Sequence, residues 1–162
     1  DQRHTGSIIV DYRFGSQDVP KGFGGAILSN LGLNVQFSFN SGRPYTVRSL
    51  PKNAFDQGDV ALSSKNGVYT DWNTRVDIKL DKTVDIWKTS LNMYIYVLNL
   101  FDTELVNSVY GATGLPGDNG YLNTPTGAVT SENYQTNWRD RIRAITNWGP
   151  PRQIRLGAKL SF

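Results

Sequence analysis

The sequence predicts an all-β protein and, within that class, an antiparallel, up-and-down sheet that forms a segment of a transmembrane β-barrel. Three observations predict it. Five segments alternate apolar and polar residues with a period of two, the pattern of strands with one oily and one wet face. The connections between them run short, long, short, long. The composition, 38% hydrophobic but 12% aromatic with 16 Gly in 162 residues, suits strands joined by polar loops better than helices.

The first segment, Ser7–Phe14, sets Ile8, Val10, Tyr12 and Phe14 against Ile9, Asp11 and Arg13. Leu31–Asn40 sets Leu31, Leu33, Val35, Phe37 and Phe39 against Gly32, Asn34, Gln36, Ser38 and Asn40. In Arg75–Val84 the oily side is Val76, Ile78 and Leu80, and the wet side Arg75, Asp77, Lys79 and Asp81. Leu91–Leu100 opposes Leu91, Met93, Ile95 and Val97 to Asn92, Tyr94, Tyr96 and a less polar Leu98. The last, RQIRLGAKLSF (152–162), opposes Ile154, Leu156, Ala158, Leu160 and Phe162 to Gln153, Arg155, Gly157, Lys159 and Ser161.

Short turns are expected at 15–25 and around Asp85–Ser90, and long loops at about 41–70 and 102–151. Long structureless loops are uncommon in compact domains, but transmembrane barrels carry them on the outer side and short turns on the periplasmic side. A strand of about 11 residues, rising ~3.3 Å per residue and tilted ~45°, climbs roughly 25 Å, the height of an outer-membrane apolar band. Tyr45, Tyr69, Trp72, Trp87, Phe101, Trp148 and Phe162 stand where interfacial aromatics would. A soluble sandwich needs a second apolar layer, and neither loop has a sustained period that would supply it.

A closed bacterial barrel has an even number of strands, at least eight, so five strands are expected to form an open sheet with free edges at Ser7–Phe14 and Arg152–Phe162. The abrupt, strand-like start at DQRHTGSIIVDYRF, without signal-peptide shape, favours the C-terminal part of a larger barrel. In such a wall the wet face lines the lumen: Asp11, Arg13, Asn34, Gln36, Ser38, Arg75, Asp77, Lys79, Asp81, Asn92, Tyr94, Tyr96, Arg155 and Lys159. The charges of Arg75, Asp77, Lys79 and Asp81 read as ion pairs along one strand face.

Little else carries chemistry. With no cysteine and a single histidine, disulfide frameworks and thiolate metal sites are excluded, and no catalytic or metal role is assigned to His4. DNG (118–120) and FDQGD (55–59) lack the spacing and closing Glu of a calcium loop and read as turns. The net charge of +3 comes from singly scattered Lys and Arg, which argues against nucleic acid as a partner. No catalytic residue and no cofactor is predicted; the protein is not expected to be an enzyme.

Several motifs occur in an order that resembles TonB-dependent outer-membrane receptors: DQRHT (1–5), SGRPYT (41–46), NTRVDIKLDK (73–82), VLNLFD (97–102), VYGATG (109–114) and PPRQIRLGAKLSF (150–162). They are most similar to the Bacteroidota-type branch with a carboxypeptidase-regulatory-like domain, Oar-like or SusC-like. The resemblance covers almost the whole chain. It implies about the last five strands of a 22-stranded barrel in the outer membrane of a Gram-negative bacterium. It also implies TonB-driven import of a nutrient, whether siderophore, glycan or peptide. The implied partners are the rest of the barrel, a plug domain touching the lumen-facing residues, TonB through an N-terminal region outside this sequence, outer-membrane lipid, and a surface lipoprotein lid. Phe162 resembles the terminal signal read by the barrel-assembly machinery. Two other readings stay open: another outer-membrane channel or adhesin barrel, which an upstream plug would exclude, and a soluble β-rich carbohydrate- or partner-binding module, which solubility without detergent would favour.

Overall fold

The computed structural model spans the chain and describes all residues except Asp1, Ser16, Asp18, Pro20, Ala54, Phe55, Gln57 and Asp59. Phe55, Gln57 and Asp59 of the FDQGD segment, and Ser16, Asp18 and Pro20 of the first turn, therefore lie outside the described residues. In chain order the elements are β1 (Thr5–Arg13), α1 (Phe23–Leu28), β2 (Leu31–Asn40), β3 (Pro44–Tyr45), β4 (Val68–Tyr69), β5 (Asn73–Ile86), β6 (Thr89–Leu98), α2 (Pro125–Ala128), α3 (Glu132–Ile142) and β7 (Gln153–Ser161), with 3-10 turns at Tyr121–Asn123 and Ile145–Asn147. The chain divides into two compact units. One comprises Gly6–Phe39, Thr74–Thr103 and Pro151–Phe162; the other comprises Asp1–Thr5, Asn40–Asn73 and Glu104–Pro150.

The first unit is the sheet. Its five strands lie in the order β1-β2-β5-β6-β7, each beside its predecessor in the meander, with β1 and β7 as the outer strands. Register is set by the pleat. Leu80 opposes Ile95, which opposes Leu156; Ile78 opposes Val97, which opposes Ile154. A one-residue slip would send every apolar side chain to the wet face. Phe14 bonds Asn30 and Leu31 at the β1–β2 end, and Thr83 N–H donates to Asn30 O at 3.1 Å across β2 and β5. The apolar residues of all five strands thus share one face.

Both faces are exposed on β1 and β7, but along β2, β5 and β6 the apolar side is open or half-open while two carboxylates of the wet side are buried. Ile154 is 64% exposed and Leu156 74%, whereas Asp77 is 2% and Asp81 9% exposed on the other side. A buried carboxylate opposite an open apolar surface inverts the usual soluble arrangement.

Three local features shape this unit. Where a simple turn was expected, α1 forms, and Lys82 Nζ donates to the carbonyls of Ala26, Ile27 and Ser29, meeting acceptors that the helix end leaves unpaired. β5 and β6 join through Trp87 and Lys88 alone. Trp87 takes φ +56°, as a two-residue hairpin requires, with its ring 93% exposed. At the end of β6, Asp102 turns left-handed (φ +53°), and its carboxylate accepts the Arg152 N–H at 2.7 Å.

The second unit corrects the expectation of structureless loops. β3 and β4 pair as a short antiparallel ribbon, extended by the bridge Arg48–Ala61 and by Leu62 N–H to Val47 O at 2.7 Å. Ser131 caps α3 by accepting the Tyr134 N–H. Tyr134, Trp138 and Ile142 are spaced by four along α3 and so share a face. Tyr121, Trp138 and Ile142 form a small core with Tyr110 and Leu122 packed on it. Among the described residues, these are the buried large hydrophobics of the chain. Tyr45 and Trp148 are half-buried within this unit, unlike exposed Trp87, Phe101 and Phe162, so the interfacial set predicted from sequence splits in two.

Candidate functional site

The predicted wet-face residues stand on one face of the sheet: Asp11 and Arg13 on β1; Asn34, Gln36 and Ser38 on β2; Arg75, Asp77, Lys79 and Asp81 on β5; Asn92, Tyr94 and Tyr96 on β6; and Arg155 and Lys159 on β7. Their side chains are tied to one another across strands. Arg13 forks onto Asp81, Nη2 to Oδ1 and Nη1 to Oδ2, both at 3.1 Å, the bidentate geometry that makes guanidinium–carboxylate pairs strong. Asn92 Nδ2 donates to Asp81 Oδ2 at 3.1 Å and to Thr83 Oγ1 at 2.9 Å. Asn34 Nδ2 donates to Asp11 Oδ2 at 3.0 Å, and along β2 itself Gln36 Nε2 donates to Ser38 Oγ at 3.4 Å.

Asp77 is held from two sides. Arg75 Nη2 lies 2.9 Å from Oδ2, and the Asn99 backbone N–H donates to Oδ1 at 2.8 Å. A carboxylate this buried persists only with such partners, since removing one from a buried pair costs about 3–5 kcal/mol.

The expected ladder of same-strand pairs is half right. Arg75 meets Asp77, but Asp81 turns away from Lys79 to Arg13 on β1. Lys79 Nζ instead sits 5.2 Å from the centre of the Tyr94 ring, a cation–π contact.

Two glycines that the alternation assigns to the wet side make this arrangement fit. Gly32, on β2 between β1 and β5, lies under the Arg13–Asp81 fork; a Cβ there would stand 2.6 Å from Asp81 Oδ1 and 2.7 Å from Arg13 Nη2. Gly157 directly opposes Tyr94, whose ring occupies the space a side chain would need. Arg13, Gly32, Asp81, Tyr94 and Gly157 therefore form one row across all five strands. No family model, curated protein or solved structure matches this chain.

The remaining predicted residues are more loosely placed. Arg155 Nη2 donates to Gln153 Oε1 at 2.9 Å along β7, and Lys159 opposes Asn92. Phe162 is fully exposed. His4 stacks on Trp72, ring centres 6.0 Å apart, in the loop unit. Asp118 and Asn119 spend their carboxylate and amide oxygens on the N–H groups of Gly120 and Tyr121, the turn chemistry expected of DNG. No cluster of three or more metal-ligating side chains occurs among the described residues.

The wet face is thus a hydrogen-bonded polar wall that holds no nucleophile–base pair. What it can do is present fixed charge and hydrogen-bonding groups to whatever lies against it.

Proposed function

We propose that this chain forms five neighbouring strands and two outer loops of a larger outer-membrane β-barrel, an active importer of the TonB-dependent type. The observation that carries the barrel reading is the inverted sheet: in register across five strands, the apolar face is open and the polar face is bonded. Lipid is the medium that suits such a face without a second protein layer. The outer strands β1 and β7 are not paired with each other, and open edges are not tolerated in hydrocarbon, so further strands complete the wall. The importer class follows the sequence motifs that resemble those receptors. In this reading the wet face lines the lumen against a plug, the turns at 15–25 and 85–90 face the periplasm, and the segments 41–70 and 102–151 leave the membrane on its outer side.

Impermeant thiol labelling tests it. Ser64→Cys and Val129→Cys, both at exposed loop positions, should label in intact cells, and Lys88→Cys only after permeabilisation. The opposite pattern reverses the topology. A soluble, monodisperse chain that melts cooperatively without detergent overturns the membrane reading altogether.

A further inference from the structure

The loop unit contains a cavity of about 590 Å³, within the ~300–1,000 Å³ usual for small-molecule sites. Among its described lining residues the one charge is Arg48, and no Asp or Glu is present. Arg48 is fixed before a ligand arrives. Its N–H donates to Gly111 O at 3.0 Å, it bridges Ala61, and its Nη1 donates to Gly58 O at 3.1 Å. Its stem lies so close to Gly111 that a Cβ there would stand 3.1 Å from both Cγ and Cδ. One N–H of the guanidinium is spent on Gly58, leaving a planar fork for an anion.

The rest of the lining is neutral, polar residues alternating with Pro44, Val109 and Ala144. Thr46, Asn66, Ser108 and Thr146 bring hydroxyls and an amide, groups that both donate and accept, as a sugar's hydroxyls require. Tyr110 spends its hydroxyl on Ile142 O at 2.8 Å, and the hydroxyl end of Tyr45 lies against Gly114. Both tyrosines therefore offer ring surface, which suits the C–H face of a sugar. An amino acid or peptide would bring an ammonium for which the described lining has no carboxylate.

We infer that this cavity binds a short acidic saccharide, with its carboxylate on Arg48 and its hydroxyls on the surrounding Ser, Thr and Asn side chains. As imported cargo the saccharide rests on the importer reading above; as a ligand of this cavity it does not.

Calorimetric titration of the full membrane protein in detergent, with digalacturonate and neutral digalactose as probes, tests it. Digalacturonate should bind saturably and at least about tenfold more tightly than digalactose, the effect of one charge-assisted fork. Arg48→Ala should remove that preference, so that the two probes bind with equal affinity. Because Arg48 also braces Gly58, Thr146→Glu serves as a second variant. Thr146 is exposed, and the new carboxylate should weaken digalacturonate binding about tenfold more than it weakens digalactose binding, which loses only the Thr146 hydroxyl. Equal affinity for the two probes, indifference to both substitutions, or no digalacturonate binding by protein of unchanged circular dichroism overturns the inference. Carbonate extraction of membranes reads the importer proposal separately. Protein that extracts as soluble yet binds digalacturonate sinks only the barrel, and membrane-resistant protein that ignores it sinks only the saccharide.

Discussion

Replacing Gly32 by alanine puts the cross-strand row of the wet face under direct test. The new methyl would stand 2.6 Å from Asp81 Oδ1 and 2.7 Å from Arg13 Nη2, closer than real side chains approach, so the fork must open. An exposed ion pair contributes about 0.2–1 kcal/mol, and losing a partner from a buried one costs about 3–5 kcal/mol. Here the Asp81 side chain is 12% exposed and that of Arg13 51%, which places the loss between those limits, at about 1–3 kcal/mol. Alanine also recovers about 0.5–1 kcal/mol of the entropy that glycine forfeits inside a strand. The net expectation is a destabilisation of about 0.5–2 kcal/mol. In an Arg13→Gln background the fork is gone and Asp81 keeps the Asn92 hydrogen bond to Oδ2 while Oδ1 can shift from the new methyl, so the same Gly32→Ala change should become neutral or stabilising by up to about 1 kcal/mol. Urea unfolding of the protein in lipid vesicles, followed by tryptophan fluorescence, measures both legs of the cycle. Equal losses with and without Arg13, or no loss with Arg13 present, refute the row as a coupled unit.

Other substitutions read other parts of the molecule. Leu156→Arg on the open apolar face should cost roughly 2–4 kcal/mol near the bilayer midplane, and Gln36→Arg on the wet face far less; equal costs in vesicle unfolding would mean that the faces are misassigned. In the loop core, the Trp138 indole N–H is buried without a hydrogen-bond partner, so Trp138→Phe removes an unsatisfied donor. It should therefore be much milder than Ile142→Ala, which should cost about 2–4 kcal/mol, as read by protease sensitivity of the loops. Burial, with Tyr134 adding to it, raises the pKa of the Tyr121 phenol above its ordinary value. The neutral phenol is then favoured by the fold. Its contribution is complete below about pH 10 and is lost as pH rises through the raised value. Near-ultraviolet circular dichroism should show an alkaline loosening of the loop core that Tyr121→Phe abolishes.

The faces of the sheet were legible because a strand's side-chain period is a property of the backbone, independent of what lies beyond it. Leu31–Asn40 matches β2 to the residue, and where β5 runs longer than its predicted Arg75–Val84 the added Asp85 and Ile86 keep the alternation, while Asn73 and Thr74 are both polar. The rungs between strands were less legible. Arg75 and Asp77 do pair along β5, but the Asp81 carboxylate reaches Arg13, which is 68 residues away in sequence, and alternation within one strand carries no register to a distant one. Gly32 and Gly157 carried no signal beyond their wet-side position because the groups that fill their space come from other strands. The helix α3 did leave a signal, a capping Ser131 followed by Tyr134, Trp138 and Ile142 at intervals of four, but the surrounding Gly, Pro and Asn outweighed it. Arg48 left none: its place in the cavity is fixed by bonds to Gly58, Ala61 and Gly111, which no local pattern encodes.

The bond from Arg152 to the carboxylate of Asp102 joins residues 50 positions apart. In polymer terms it ties off the neck of a long loop. Once a loop's ends are held, lengthening it is thermodynamically mild: each doubling adds only about 0.6 kcal/mol of closure entropy. The stretch 103–151 is therefore free to be lengthened, shortened or exchanged while the strands on either side keep their register. It behaves as a cassette plugged into a fixed socket, so binding chemistry can diversify through it without the sheet having to be rebuilt each time.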